Sequence, residues 1–238
     1  VVANGDDPHT VQALEGIPYV SFGLGESNRV RAENISDDWR HFDVLCDGKF
    51  YCHMDLGVLG RHNTMNALAV AATSWVMGIP GQKVTDGVKA FHGAGRRMEY
   101  KGEYRGAKVY DDYAHHPDEL RATLEAVRGM GDHRIVLAFQ PHTYTRTKLL
   151  MDDFIRELQK ADVVVLAEIY AARESNTIGI SSADLAAQIP GSIYCETLQD
   201  VTDCLRSIVR EGDIVLTMGA GDIFRAGEAL LSGEDSKK

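Results

Sequence analysis

Several features that would assign a chain to a special class are missing from this sequence. Its four cysteines are scattered and form no C-x-x-C pair, which is typical of reduced thiols. No apolar run reaches the roughly 18 residues that a transmembrane helix requires. Neither a G-x-x-x-x-G-K-[ST] loop nor a complete G-x-G-x-x-G is present. We therefore expect a cytoplasmic protein with reduced thiols that binds any phosphate without a P-loop of its own.

Positive charge is also scarce. The 238 residues carry 25 Lys and Arg against 35 Asp and Glu, a formal net charge of −10. This balance disfavours a general binder of nucleic acids or membrane surfaces, because both attract positive fields. The length and the 44% hydrophobic content allow one large or two modest globular domains. An anionic ligand would then need a local cluster of basic side chains.

The hydrophobic pattern changes along the chain and predicts two domains. Short strand-like segments fill residues 17–56, with Asp47-Gly48 as a hairpin signal, and a helical pattern follows over residues 63–77. Beyond Gly93-Ala94-Gly95, strands and helices alternate, so we expect domains at residues 1–94 and 95–238. The run Val163–Leu166 is apolar throughout, as is typical of a parallel strand covered on both faces. The predicted fold class is α/β with a mostly parallel sheet in the second domain.

The densest group of reactive side chains is D-D-Y-A-H-H-P-D-E, residues 111–119. It follows a predicted strand and precedes a predicted helix, so it lies at the carboxyl end of a sheet strand, where open α/β sheets bind ligands. A capped helix explains the acids and Pro117, but not the two imidazoles and the phenol. A metal site is the alternative, since Zn and Mn accept His and Asp. Because adjacent side chains usually diverge, we expect only one of His115 and His116 in a given pocket.

A second group, residues 140–147, follows the apolar strand predicted to end at Phe139. His142, Arg146 and several hydroxyls there offer charge-assisted donors to an anion. The alternative is a polar loop in which Thr145 or Thr147 caps a helix predicted over residues 146–160.

Two weaker signals precede these groups. Asn63 and Asn66 begin a helix three residues apart and so share a face, where free N–H groups attract a phosphate or a polar ring edge, although Asn also caps helices. Arg96 and Arg97 stand at the predicted domain boundary, either solvated or as a phosphate clamp.

In this order the motifs resemble those of the Mur ligases of bacterial peptidoglycan synthesis. The resemblance rests on G-R-H-N-x-x-N-A-L from Gly60, G-R-R-M-E from Gly95, D-D-Y-A-H-H-P-x-E from Asp111, F-Q-P-H from Phe139, I-Y-A-A-R-E from Ile169 and G-A-G-D from Gly219. It is strongest to the branch that joins L-alanine to UDP-N-acetylmuramate. It implies an ATP-dependent ligase that forms an acyl phosphate, releases ADP and uses Mg²⁺.

The resemblance also implies how the two domains are occupied. Residues 95–238 would form a Rossmann-like domain that binds the amino acid, and residues 1–94 the later part of a central ATP-binding domain whose P-loop lies outside this sequence. Because the sequence begins with Val1 and not Met, we expect a fragment that is inactive alone.

The resemblance assigns roles residue by residue and implies no metal ligand within this sequence. The residues placed around ATP are His62, Asn63, Asn66, Arg97 and Asp112. Those placed in catalysis are Tyr113 and His115, and those placed at the carboxylates of alanine and muramate are His142, Thr143 and Arg146. Two other functions stay open from the residues alone: a metal-dependent phosphoesterase or hydrolase built on residues 111–116, and a nucleotide-binding module without catalysis.

Overall fold

A computed structural model describes residues 1–233, so the last five residues of the predicted second domain lie outside the described residues. The chain separates into two compact units, Val1–Gly93 and Ala94 onward, which we call unit 1 and unit 2. Among the helices of residues 1–233, none is both long and apolar enough to cross a membrane.

Unit 1 is built on a mixed sheet whose strands lie side by side in chain order. Its strands are β1 (Val2–Asn4), β2 (Val20–Gly23), β3 (Val30–Glu33), β4 (His41–Cys46) and β5 (Lys49–Asp55), and its helices are α1 (Pro8–Ala13), α2 (Arg61–Val76) and α3 (Gly81–Lys89). Strands β1 to β3 are parallel, whereas β4 is antiparallel to both β3 and β5. The small side chains of Ala71 and Ala72 in α2 are fully buried in one core with Phe42 of β4.

At one end of this sheet a predicted hairpin is confirmed, and at the other end lies a helix that was not predicted. Asp47 and Gly48 both adopt left-handed backbone conformations, with φ of 46° and 74°, and join β4 to β5 in a tight hairpin. Helix α1 was not predicted, although its signal is present in the sequence. The Asp7 carboxylate accepts a hydrogen bond from the His9 N–H at 3.1 Å, and Pro8 stands in the first turn.

Unit 2 is an α/β layer structure. Its strands are β6 (Glu99–Tyr104), β7 (Ala107–Asp112), β8 (Ile135–Phe139), β9 (Val163–Ala167), β10 (Ile193–Cys195) and β11 (Ile214–Met218), and its helices are α4 (Pro117–Arg128), α5 (Tyr144–Leu149), α6 (Met151–Leu158), α7 (Ser182–Ala186), α8 (Leu198–Ile208) and α9 (Phe224–Ser232). The strand order is β10-β9-β8-β11-β7-β6, and every neighbouring pair is parallel except β6 with β7. The predicted α/β class with a mostly parallel sheet is confirmed.

Strand β8 shows why this sheet is apolar on both faces. Leu137 and Phe139 enter one core with Phe154 of α6, whereas Val136 enters a second core with Leu205 of α8. All five side chains are fully buried. Helices therefore cover both faces of the sheet at β8, and polar side chains that contact a ligand are expected at the strand ends.

The helix predicted over residues 146–160 is wrong in two respects. The chain breaks at Leu150, where φ is −108° and ψ is 22°, and forms α5 and α6 instead of one helix. The sequence has neither Gly nor Pro there, so packing imposes the break: α6 buries Phe154 fully against α4 and the sheet. Neither Thr145 nor Thr147 is the N-cap. The Thr147 hydroxyl lies inside α5 and donates to the Thr143 carbonyl at 2.7 Å.

Strand β6, an edge strand antiparallel to β7, was not predicted. Arg105 and Gly106, with φ of 49° and 77°, form the turn that joins them, and the register shifts between Tyr100 and Gly102. Only Tyr104 of this strand is buried, so its sequence lacks the apolar alternation by which strands are recognised.

Candidate active site

The loops that follow β7, β8, β9 and β11 meet at one edge of the unit 2 sheet, because these strands are parallel and their carboxyl ends coincide. Strand β11 lies between β7 and β8, so the loop 219–223 stands between the loops that carry the two densest motifs. Open α/β sheets bind ligands at this edge.

The two aspartates at the end of β7 are turned into the protein. The side chains of Asp111 and Asp112 are only 2% and 3% exposed. Asp112 accepts hydrogen bonds from the N–H groups of Met98 at 2.9 Å and Ala114 at 2.8 Å, and Thr123 donates to it at 3.3 Å. Burial nevertheless raises the pKa of Asp112 above its usual value. A phosphoesterase that needs both carboxylates facing its ligand is therefore not favoured by this arrangement.

Arg96 clamps the site from within. Its Nε donates to Asp111 at 2.7 Å, and its Nη atoms donate to the Gly219 and Gly221 carbonyls in the turn 219–221 at 2.7 and 3.2 Å. The guanidinium also contacts the rings of Tyr113 and Phe224, 5.0 and 4.6 Å from their centres. Because its donors are used within the protein, Arg96 is a structural residue. This differs from the phosphate clamp that the Arg-Arg pair suggested.

Arg97 is more exposed than Arg96. Its side chain is 48% exposed, lies 5.7 Å from the centre of the Tyr113 ring and approaches the Glu119 carboxylate to 3.7 Å. An exposed guanidinium held by a ring and one weak ion pair retains donors for an incoming anion. Tyr113 itself is 37% exposed.

The side chains of the adjacent residues His115 and His116 have different partners. The His116 side chain caps α4, accepting from the Asp118 N–H at 3.3 Å. The His115 ring instead turns to the site, with Nδ1 3.0 Å from the Tyr113 carbonyl and 3.3 Å from Glu119 Oε2. Burial alone would raise the pKa of Glu119, but N–H donors from both histidines and nearby positive charge outweigh it and lower that pKa.

The loop after β8 brings a second imidazole to the first. The His142 ring centre lies 5.8 Å from that of His115 and 5.7 Å from that of Tyr170, on which it stacks. Arg146 Nη1 approaches His142 Nδ1 to 3.4 Å from the first turns of α5. Burial, followed by the positive charges of Arg146 and His115, lowers the pKa of His142. The lowered pKa favours the neutral form of His142.

Glu174 holds the start of α5 in place. Its carboxylate accepts hydrogen bonds from the Thr145 N–H, at 2.9 Å, and from the Thr145 hydroxyl, and these bonds lower the pKa of Glu174. Thr143, just before α5, has a left-handed φ of 68°, and its N–H donates to the Tyr170 carbonyl at 2.9 Å. Such strain in a non-glycine residue is typical of functional loops. The motif I-Y-A-A-R-E contains Glu174, but nothing in its spacing indicates this bond.

Gln140 ties the loop after β8 to the loop after β11. Its Oε1 accepts from the N–H groups of Asp222 and Ile223 at 2.9 and 3.1 Å, and its Nε2 donates to Asp222 Oδ1 at 3.0 Å. A side chain at Gly221 would meet Tyr170, because its Cβ would lie 2.7 Å from Tyr170 Cγ. Glycine at position 221 is thus required by close packing.

The three predicted ATP contacts in unit 1 form a hydrogen-bonded series at the start of α2. Asn63 Nδ2 donates to the Leu59 carbonyl at 2.7 Å and lies 3.1 Å from His62 Nε2, and Asn66 Nδ2 donates to Asn63 Oδ1 at 3.3 Å. Asn63 and Asn66 therefore share a face, as their spacing predicts. The N-cap is Gly60, so capping does not explain Asn63.

Within unit 2, one sheet edge holds most of the residues singled out in the sequence. Those brought together there are Arg97, Tyr113, His115, His142, Thr143 and Arg146. Asp112 lies beneath them, enclosed by protein. Glu119, Glu174 and Gln140, to which sequence reasoning gave no role, fix the arrangement together with Arg96, for which it offered either solvation or a phosphate clamp. In the part of the chain that the structure describes, no group of three or more His, Cys, Asp or Glu side chains is arranged to hold a metal ion.

Comparison with known proteins gives a consistent family. The sequence profile described as the glutamate ligase domain of Mur ligases matches residues 96–221. A UDP-N-acetylmuramate–L-alanine ligase from Caldanaerobacter subterraneus is 40% identical over 247 residues, covering 100% of this chain and 53% of the relative. The enzyme of that name from Clostridium acetobutylicum is 39% identical over 241 residues, covering 98% of this chain and 52% of the relative.

Solved structures agree with this similarity. The UDP-N-acetylmuramate-alanine ligase from Thermotoga maritima superposes with a TM-score of 0.81 at 27% identity, covering 100% of this chain and 52% of that one. A murein peptide ligase from Psychrobacter arcticus, at 21% identity and a TM-score of 0.70, shares the fold. The chain spans about half the length of the curated relatives that it matches.

Proposed function

The chain belongs to the Mur ligase family, and we propose that it takes part in the ATP-dependent joining of L-alanine to UDP-N-acetylmuramate in peptidoglycan synthesis. The observation that carries this proposal is the group formed by His115, His142 and Arg146 at the carboxyl edge of the unit 2 sheet. The names of the 40%-identical relatives supply the substrates. The reaction activates the muramate carboxyl as an acyl phosphate, which the amine of alanine attacks to give an amide, ADP and phosphate.

The carboxylate of alanine is bound by the His142 loop in this proposal. Arg146 offers a guanidinium whose only described partner is the neutral His142 ring, so its charge is available to an anion. His142 adds a ring N–H, and Thr143 adds donors from a strained loop beside it. On an acidic chain, such a local basic group is what a carboxylate substrate requires.

The reacting carboxyl lies at the β7 loop in this proposal. Tyr113 presents a half-exposed phenol, and His115 presents the ring nitrogen that is not bonded to the Tyr113 carbonyl. The Tyr113 hydroxyl donates to the negative charge that develops as the amine attacks, and this nitrogen of His115 becomes a second donor once it carries a proton. Tyr113 and His115 are therefore the proposed catalytic groups.

Nucleotide binding remains a prediction for each unit separately. In unit 2, Arg97 has an exposed guanidinium suited to phosphate, whereas Asp112 would have to bind ribose from a buried position. In unit 1, the hydrogen-bonded His62, Asn63 and Asn66 suit a polar ring edge.

Mg²⁺ accompanies ATP in this proposal, but its ligands are not assigned to this chain. In unit 2 the candidate carboxylates Asp111, Asp112 and Glu119 all accept protein hydrogen bonds, and residues 1–233 offer no ready ligand set. We derive no step through the metal. We further propose that the 238-residue chain has no ligase activity alone and that the protein acts in the cytoplasm.

The test is a chimera in which this chain replaces the matching half of the Caldanaerobacter relative. We expect it to form UDP-N-acetylmuramoyl-L-alanine with stoichiometric ADP, measured by chromatography and a coupled ADP assay, whereas the 238-residue chain alone forms none. Glycine and L-serine, offered in place of L-alanine, measure amino-acid selectivity. A folded chimera without ligation, or metal-dependent phosphatase activity of the chain alone, would contradict the proposal.

Changing Arg146 to Ala in this chimera should raise the KM for alanine about 10- to 100-fold, the effect of losing a hydrogen bond to a charged group. The kcat should change little, because the guanidinium binds alanine equally in ground and transition states. The measurement is steady-state kinetics with varied L-alanine. Lys148→Ala removes a positive charge from the exposed face of the same helix and is the matched control. Equal effects of the two changes would show that the site responds only to overall charge.

A further inference from the structure

The tautomer of His115 follows from its neighbours. Its Nδ1 lies 3.0 Å from the Tyr113 carbonyl and 3.3 Å from the Glu119 carboxylate. Both oxygens only accept hydrogen bonds, since Glu119 is ionised. The hydrogen of a neutral His115 therefore resides on Nδ1, and Nε2 keeps a lone pair.

The tautomer of His142 is the reverse. Its Nδ1 lies 3.4 Å from Arg146 Nη1, and a guanidinium donates but has no lone pair with which to accept. Nδ1 must therefore accept, which places the hydrogen on Nε2. The two rings, 5.8 Å apart between centres, thus offer a lone pair on one side and an N–H on the other.

This complementary pair fits a ligand that carries an ammonium and a carboxylate on one carbon. The carboxylate accepts from His142 and Arg146, and the ammonium donates to His115. We propose, on the basis of the proposed ligase function, that His115 Nε2 removes a proton from the attacking amino acid and that Glu119 is the positioning residue that fixes the required tautomer. A carboxylate that orients an imidazole in this way is a recurrent arrangement in acid–base catalysis.

The proposed step balances in atoms and charge. One proton moves from the ammonium of the amino acid to His115 Nε2, and the freed nitrogen lone pair forms the bond to the acyl carbon. The bond between that carbon and the phosphate oxygen then breaks, and the phosphate leaves with its electron pair. The second proton lost by nitrogen goes to the departing phosphate, which leaves as hydrogen phosphate beside the His115 imidazolium.

The charges around His115 suit this proton transfer. Glu119 faces it from α4, the Tyr113 carbonyl and ring face it from its own loop, and neutral His142 faces it from the loop after β8. Arg146 contacts the His142 ring, and Arg97 lies 3.7 Å from Oε1 of Glu119, the oxygen that does not contact His115. Glu119 is the negative group in direct contact with the ring, so it stabilises the imidazolium that forms.

The first test needs no activity. In the 238-residue chain labelled with ¹⁵N and ¹³C histidine, nitrogen shifts and long-range couplings assign each neutral tautomer. We expect Nδ1–H at His115 and Nε2–H at His142. Nε2–H at His115 would overturn the inference.

The second test uses the ligase chimera with Glu119→Gln, which keeps the side-chain length and the helix cap but removes the charge. We expect kcat to fall about 10- to 100-fold, while the KM for alanine stays within about twofold. Glu125→Gln, the same change at an exposed position of α4, is the control and should leave both constants unchanged. In a His115→Ala background, Glu119→Gln should have no further effect, because it acts through that ring.

The outcomes separate the two proposals. A wild-type chimera without ligation overturns the proposed function and the proton transfer that rests on it, whatever the tautomers. Normal ligation with Glu119→Gln indistinguishable from Glu125→Gln overturns the role of Glu119 alone. A matching loss in Glu119→Gln that persists undiminished without His115 also overturns it, because a merely structural residue behaves in this way.

Discussion

Replacing Arg96 with Ala should lower the free energy of unfolding of unit 2 by about 3–5 kcal/mol, the usual cost of leaving one partner of a buried ion pair behind. Asp111, only 2% exposed, would lose its cationic partner at 2.7 Å. The carbonyls of Gly219 and Gly221 would lose their donors at the same time. Urea-dependent hydrogen exchange of the amides in β7 and β11 measures the effect where it arises.

Two matched variants make this prediction specific. Arg97→Ala removes the neighbouring guanidinium, which is 48% exposed and makes only one long ion pair, so it should cost less than about 1 kcal/mol. Asp111→Asn combined with Arg96→Ala should recover part of the loss, since it removes the uncompensated charge. Trp39 and Trp75 both lie in unit 1, so their fluorescence follows that unit separately. If the two arginine variants lose equal amounts of unfolding free energy, the bonds of Arg96 to Asp111 and to the turn 219–221 stabilise unit 2 no more than the exposed contacts of Arg97 do.

These neighbouring arginines show what the sequence could not separate. Two identical residues at a glycine-rich boundary carry the same signal, yet one is internal and the other faces solvent. Arg96 has a left-handed φ of 57°, which no sequence rule assigns to arginine and which the bonds to Asp111 and the turn 219–221 hold in place. That conformation depends on β11, more than a hundred residues further along the chain.

The fold was predictable where local signals were strong. The hairpin turn at Asp47-Gly48, the apolar strands β8 and β9 and the carboxyl-end position of both histidine motifs were all accessible from the pattern. The insertion of β11 between β7 and β8 was not, because strand order results from long-range pairing. The break at Leu150 was missed for the same reason, since tertiary packing overrode helix propensity.

The candidate site, like the fold, was predictable only where local signals were strong. Residue types and their positions after strands indicated His115, His142 and Arg146, but not the tautomers of the two rings. The tautomer of His115 depends on Glu119 and on the Tyr113 carbonyl, and that of His142 depends on Arg146, in each case through a contact of hydrogen-bond length. The sequence shows Glu119 only as the third residue of a helix, where a capping role is sufficient to explain it.

Replacing His115 with Ala in the ligase chimera should lower kcat about 10²- to 10⁴-fold, the range that a positioned acid–base group contributes. The KM for alanine should change little, because His142 and Arg146 retain the carboxylate. Steady-state kinetics with varied alanine measure both constants. His115→Ala should therefore change mainly kcat, whereas Arg146→Ala should change mainly the KM for alanine, although both side chains belong to one site.

The adjacent histidine provides the control for this prediction. The His116 ring is used in capping α4, so His116→Ala should leave kcat nearly unchanged while costing about 1 kcal/mol of stability. A loss of kcat shared equally by both variants would point to the helix start and not to an imidazole. Unchanged kinetics in both His115→Ala and Arg146→Ala would contradict the assigned roles. A loss of kcat confined to position 115 requires a ring nitrogen in the reaction, and Nε2 is the one that the Tyr113 carbonyl and Glu119 leave available.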